Sequence, residues 1–173
     1  MAAPADVVVR RGRDGDADAM LALEAVFPSD RMSRRSIRRF LRAPTARVLV
    51  AENAAGAVLG NLIGLRRAGS RAMRTYSVVV APEARGLGIG QRLVEALQAI
   101  AADEACARVT LEVRADNRAA RALYARLGYR ETASLPGYYE DGADGLRLSR
   151  DLAATGGGKA SSGASAASTR ASA

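Results

Sequence analysis

Val78-Val79-Val80-Ala81-Pro82-Glu83-Ala84-Arg85-Gly86-Leu87-Gly88-Ile89-Gly90 joins a β-branched strand to a glycine-rich turn, and the run from Gln91 continues as a helix. A strand, a turn and a helix start in that order leave several backbone N–H groups unpaired and aimed one way, which makes an anion site suited to phosphate. Glycine turns of this kind also occur with no ligand, because glycine accepts positive φ and lets backbones approach closely. Two familiar phosphate fingerprints are absent: no Gly-Lys-Ser/Thr follows, and Gly86, Gly88 and Gly90 are spaced GxGxG, not GxGxxG. A nucleoside triphosphatase and an ordinary dinucleotide fold are therefore disfavoured, and a phosphorylated cofactor of another kind is expected.

Working outward, Val7 to Arg11 reads as a short strand, and Asp14 or Asp16 as the cap of a helix carrying Met20, Leu21, Leu23, Ala25 and Phe27, broken by Pro28. Ser33 to Leu41 is a second helix. The segments Arg47 to Glu52, Ala57 to Leu65 and Arg71 to Val80 are strands separated by turn residues, which predicts an antiparallel meander. Leu93, Val94, Leu97, Ile100 and Ala101 recur at helical spacing, and Val109, Leu111 and Val113 then alternate with Thr110, Glu112 and Arg114 as a strand. Strand, helix and strand make one parallel crossover. Asn117 caps a last helix, Gly128 ends it, and Tyr129 to Ala133 with Leu146 to Leu152 close the sheet around Gly142 to Gly145. The expected fold is a single α/β (α+β) domain over residues 7–152: a central mixed, mostly antiparallel sheet with one parallel βαβ crossover, flanked by helices. Residues 1–6 form an N-terminal extension, and residues 153–173, almost wholly Ala, Ser, Gly and Thr, a tail expected to be disordered.

Composition narrows the chemistry. With 173 residues, 49% hydrophobic and 25% charged, the chain can bury one sizeable core. It contains no histidine, so the usual near-neutral base and the commonest metal ligand are missing. Proton transfer falls to carboxylate, tyrosine, thiol, amine or water, and no metal site is expected. The single cysteine, Cys106, cannot close an internal disulfide and is read as a packing residue. Neither a secretory leader nor a membrane-length apolar run is present, so a soluble, cytoplasmic protein with no membrane partner is expected. The net charge of +8 is concentrated in Arg31, Arg34, Arg35, Arg38, Arg39 and Arg42. On a helix these stack at i, i+4 spacing, either as a solvated face over Ile37, Phe40 and Leu41 or as a surface for an acidic partner, nucleic acid included.

The run from Val78 to Gly90 resembles the cofactor motif Arg/Gln-x-x-Gly-x-Gly/Ala of the GNAT superfamily of acetyl-CoA-dependent N-acetyltransferases. Leu111-Glu112-Val113-Arg114, Asn117, Ala122-Leu123-Tyr124 and Gly128-Tyr129 resemble the family's next motif, at the expected distance downstream. This wording, with Phe27-Pro28 upstream and Tyr138-Tyr139 near the end, is most similar to the RimI branch, the ribosomal-protein alanine N-acetyltransferases. The resemblance covers residues 7 to 152 and implies the GNAT fold, acetyl-CoA as donor and direct transfer to a primary amine, in this branch a protein N-terminus. Lysine side chains and small amines are acceptors elsewhere on the scaffold. A non-catalytic basic module binding RNA-rich surfaces is the alternative of a different class, supported by the arginine face alone.

The resemblance assigns roles residue by residue. Backbone N–H groups across Arg85, Gly86, Leu87, Gly88, Ile89 and Gly90, with the following helix dipole, would hold the pyrophosphate, and bulk at Gly88 or Gly90 should obstruct it. Val78, Val79 and Val80 would bind the thioester and pantetheine arm with backbone groups, one N–H stabilising the developing oxyanion. Asn117 would contact the cofactor besides capping its helix. Tyr124 matches the general acid that protonates the leaving thiolate, and Glu112 the base that takes the ammonium proton; a packing tyrosine and an ion-paired strand glutamate are the structural alternatives. Tyr138, Tyr139, Glu140 and Asp141 are candidate acceptor-binding residues, although a hairpin turn also needs polar residues there.

Overall fold

Strand β4 (Ala72–Val80) lies at the centre of the sheet, and its two halves have different neighbours. The computed structural model describes residues 6–153 and 170–172; residues 1–5 of the expected extension, and 154–169 and 173 of the expected tail, lie outside the described residues. Strands β2 (Ala46–Glu52), β3 (Val58–Leu65) and β4 form the expected antiparallel meander, and β1 (Val8–Arg11) pairs antiparallel with the outer side of β2. The chain crosses through helix α3 (Ile89–Asp103) to β5 (Arg108–Arg114), which runs parallel to β4. Helix α4 (Arg118–Arg126) follows, then β6 (Arg130–Leu135) at the sheet edge and β7 (Gly145–Asp151) antiparallel between β6 and β5.

The helices cover both faces. Val109, Leu111 and Val113 of β5 share one core with Leu93, Val94 and Leu97 of α3 and with Ala120 and Tyr124 of α4. Helices α1 (Ala17–Leu23) and α2 (Arg34–Arg42) close the other face, where Met20 and Ile37 pack against Val48, Val50 and Ile63. Close approach of α3 needs glycine beneath it. A Cβ on Gly64 would sit 2.6 Å from Leu97 Cδ1, and one on Gly60 would sit 2.8 Å from the Val79 carbonyl oxygen.

Element ends differ from expectation in ways with local causes. The first helix stops at Leu23, and a 3-10 turn carries Glu24–Val26 to an extended Phe27. A 3-10 turn, Asp14–Asp16, leads into the helix, and Asp16 stands at its N-cap position, one of the two residues expected there; the Asp16 carboxylate makes no cap bond into the helix but reaches back to accept from the Arg13 N–H at 2.7 Å and from Arg10 Nη1 and Nη2 at 2.9 Å each. Asn117 caps as expected, accepting from Ala120 N at 3.0 Å; Ser33, expected as the first residue of its helix, is instead the N-cap, accepting from Ser36 N at 3.1 Å. No helix among the described residues is long and apolar enough to cross a membrane.

Two features of β4 build the site. A bulge between β3 and β4 pairs Ile63 with Ser77 but Gly64 with Thr75, so Tyr76 is the extra residue, and its ring rests 5.2 Å from that of Phe40 on α2. Bulges bend the strand that carries them. Pairing with β5 is confined to Ala72–Arg74 against Arg108–Thr110, and beyond Arg74 the two strands part. Into that wedge the chain places a last strand, β8 (Arg170–Ser172), parallel to β4 with Ser77, Val78 and Val79 opposite Arg170, Ala171 and Ser172. Composition alone predicted no structure for these three residues; the unpaired edge of β4 offers backbone groups that a strand can meet whatever its side chains.

Candidate active site

The glycine turn forms the first wall of the site. Gly86 and Gly88 sit at φ +78° and +74°, in the left-handed region that favours glycine, and Gly88 is the N-cap of α3. The N–H of Arg92 bonds the Gly88 carbonyl at 3.1 Å, which leaves the N–H groups of Ile89, Gly90 and Gln91 in the helix's unpaired first turn. Among the described residues nothing lies within 4 Å of the place where a Cβ on Gly86 or Gly88 would stand, so the turn has open space beside these two glycines. Arg85 is exposed, Leu87 half-buried and Ile89 buried beneath the turn. A Cβ at Gly90 would meet Val80 and Leu123 at 3.7 and 3.9 Å, ordinary contacts that bring α4 beside the end of β4.

Val78, Val79 and Val80 are buried, as an apolar β-branched run in a central strand requires. Val78 pairs with Leu62 and Val80 with Gly60, and Gly60 lies under α3; Val79 pairs with Asn61 and points to the opposite face. The edge of Ser77–Val79 toward β5 is taken by β8.

Tyr124 comes from the helical side. It is buried, packed edge-on against Tyr129 with ring centroids 5.3 Å apart, and the Tyr129 hydroxyl accepts from Gln98 Nε2 at 3.2 Å. Burial, with a smaller contribution from Tyr129, pushes the Tyr124 phenol well above the ordinary tyrosine value, so it keeps its proton through the neutral range. Asn117 starts the same helix, its side-chain oxygen spent on the cap.

Glu112 comes from the other face. The alternation that buries Leu111 and Val113 under the helices turns Glu112 away from them, but not into solvent: it is buried. Arg74 donates to Oε2 from Nη2 at 2.8 Å and Nε at 3.1 Å, and Arg147 donates to Oε1 from Nε at 3.4 Å. Arg74 is the last β4 residue paired with β5, so this cluster stands at the root of the wedge. The hydroxyl of Tyr138 is buried close by without a hydrogen-bond partner among the described residues, and burial raises its phenol, Glu112 adding to the effect and Arg74 and Arg147 opposing it.

Neither arginine was singled out from the sequence. The available signal was a guanidinium interrupting an apolar strand, Arg74 between Met73 and Thr75 and Arg147 between Leu146 and Leu148. Asn61 and Ser77 were missed too. They share the face of Glu112, and the side-chain polar atoms of both are buried without hydrogen-bond partners among the described residues.

The hairpin residues divide. Tyr138 and Tyr139 stack edge-on at 5.2 Å, with the Arg114 guanidinium 5.2 Å over the Tyr139 ring. Asp141 accepts from the Ala143 N–H at 3.1 Å and from Arg114 Nη1 at 2.9 Å, which hold its carboxyl below the usual range. Asp144 accepts from Gly137 N at 2.8 Å. Those two acids therefore shape the turn, while Glu140 stands exposed at its tip.

The profile of the acetyltransferase (GNAT) family matches residues 17–129. An uncharacterised N-acetyltransferase of Methanocaldococcus jannaschii is 41% identical over 94 residues, 54% of this chain and 59% of that protein. An N-alpha-acetyltransferase of Saccharolobus solfataricus is 38% identical over 77 residues, 44% of this chain and 46% of that one. The chain thus spans about half the length of the curated relatives it matches. The solved structure of the ribosomal-protein-S18-alanine N-acetyltransferase from Escherichia coli superposes with a TM-score of 0.78 at 22% identity, covering 87% of this chain and 96% of that one, which is a likeness of fold. The glycine turn at the head of α3, the parting of β4 from β5 and the family profile running through both agree: this chain belongs to the GNAT acetyltransferase family.

Proposed function

We propose that this protein is an acyltransferase that moves the acetyl group of acetyl-CoA directly onto a primary amine, the N-terminal α-amine of a protein or peptide. The observation that carries this reading is the wedge beyond Arg74, with a buried carboxylate on one face of the sheet and a buried, protonated phenol on the other. The pyrophosphate rests on the N–H groups from Gly86 to Gln91, and the pantetheine arm lies along Val78 to Val80, whose backbone N–H groups face the thioester oxygen as charge develops. Asn117, at the head of α4, adds a contact to the donor. Glu112 takes the proton of the incoming ammonium, directly or through water, and the free amine forms the C–N bond. As the C–S bond breaks, the thiolate takes the proton of Tyr124. Tyr138 and Tyr139 wall the acceptor's entrance. The RimI-like motif wording and the N-alpha-acetyltransferase relative support a protein N-terminus in the cytoplasm, with ribosomal proteins among the candidates. Joint presence of Glu112 and Tyr124 favours an enzyme over a basic binding module.

Thermal unfolding with increasing acetyl-CoA tests the donor site, since a ligand bound to the native state raises the midpoint as its concentration rises. Gly88→Val is expected to lose this shift by placing a side chain where the phosphates lie, at a strain cost of roughly 1 to 2 kcal/mol from the left-handed backbone. Removing residues 154–173 is expected to enlarge the shift, because β8 and the pantetheine arm need the same edge of β4. No shift in the intact or truncated chain would remove acetyl-CoA from the reading. Thiol release across N-terminal peptides, lysine peptides and small amines then tests the acceptor class, and a preference for lysine peptides would overturn the α-amine assignment.

A further inference from the structure

Among the described residues two guanidiniums, those of Arg74 and Arg147, close on the one carboxylate of Glu112, and these three side chains together carry a formal net charge of +1. Exposure runs against the carboxylate. The side chain of Glu112 is 4% exposed, that of Arg74 19% and that of Arg147 34%, so whatever enters from the acceptor side meets guanidinium first. Arg147 touches Glu112 through Nε alone, at 3.4 Å, and its two terminal nitrogens have no hydrogen-bond partner among the described residues. A guanidinium with its outer edge free is a fork matched to a second carboxylate.

Nearby acids do not meet that demand. Asp141 and Asp144 are engaged within the hairpin, and Glu131, on the strand beside β7, is paired with Arg121 at 2.8 Å. The Tyr138 hydroxyl, buried against this cluster and unpartnered among the described residues, is a further donor for an oxyanion. Approach from the α2 side is basic as well: Phe40 packs on Tyr76, two residues from Arg74, and the exposed Arg35, Arg38 and Arg39 line the same helix. A bare ammonium would be repelled by such an entrance, whereas an amine bearing its own anion would be drawn in and oriented.

We propose that the acceptor carries a carboxylate close to its reacting amine, and that Arg147, assisted by Arg74 and the Tyr138 hydroxyl, binds it. The proposal rests on the transferase reading above and names the substrate class of that site. An acidic side chain at the first or second residue of a peptide supplies this chemistry, and so does the α-carboxylate of a free amino acid. Arg147 is a specificity-determining residue here, and Arg74, with its two bonds to one oxygen, chiefly holds Glu112 in place.

The test measures thiol release from acetyl-CoA by the full chain with matched acceptors: peptides beginning Ala-Asp and Asp-Ala, the same peptides with Asn for Asp or Lys for Asp, and free amino acids beside their α-amides. The expected result is a kcat/KM about tenfold or more higher for a carboxylate acceptor than for its amide twin, seen mainly in KM. Preference within the peptide set identifies an acidic N-terminus, and preference confined to free amino acids identifies the α-carboxylate. In Arg147→Gln the carboxylate-to-amide ratio should fall toward one, and in Arg147→Glu the Lys peptides should overtake the Asp peptides. Wild-type turnover equal on acid and amide, or greatest on Lys peptides, overturns this proposal and leaves the transferase reading standing. No thiol release with any amine overturns the transferase reading, and this proposal with it.

Discussion

Tyr124→Phe is expected to lower kcat by about a hundredfold or more while acetyl-CoA binds as before, the range that a positioned general acid supplies. The substitution removes one oxygen from a ring that stays packed against Tyr129 in the shared core of α3, α4 and β5, so the fold and the donor site keep their contacts. What disappears is the proton offered to the departing thiolate. A phenol raised above its ordinary value remains protonated beyond the pH at which free tyrosine ionises, so the wild-type rate should show no alkaline loss from this group below about pH 10. The check is steady-state kinetics beside a thermal-shift titration with acetyl-CoA. Equal kcat in the variant would return Tyr124 to a packing role, and a loss carried wholly by weaker donor binding would do the same.

Glu112→Gln is expected to cost a similar factor, with a pH signature that separates chemistry from structure. The amine reacts as the free base, and a base beside it matters most when the substrate arrives as ammonium. The deficit should therefore grow as pH falls and narrow as pH rises toward the acceptor's own pKa. A structural cost accompanies it. Arg74 and Arg147 would be left facing a neutral amide, and because both are partly exposed, the loss should stay near 2 kcal/mol, below that of a fully buried broken pair. Urea denaturation measures that cost, and the pH–rate profile measures the chemistry. A deficit independent of pH would mean that Glu112 serves only to fasten the two arginines.

The candidate site was legible where it is local. Asn117 read as a cap because a cap spans three residues, and Gly86 and Gly88 read as a turn because glycine takes left-handed backbone angles whatever surrounds it. Glu112 was placed on the correct strand face by alternation, but alternation could not say what waits there. The answer was Arg74 and Arg147, 38 and 35 residues away, brought in by the pairing of β5 with β4 on one side and β7 on the other. Asp141 was a candidate acceptor-binding residue in sequence, and hydrogen bonds from the Ala143 N–H and Arg114 show it shaping the turn, as a bond from the Gly137 N–H does for its neighbour Asp144.

By itself the sequence determined the order of strands and helices, the single crossover and the glycine turn at the head of α3, since each depends on periodicity or backbone preference within a short window. Only the tertiary structure decided three things that bear on function: the bulge at Tyr76 beside the parting of β4 from β5, the pairing of β8 along the edge so exposed, and the two arginines on Glu112. All three depend on register between distant strands, which is set by the packing of the whole sheet and by no local pattern.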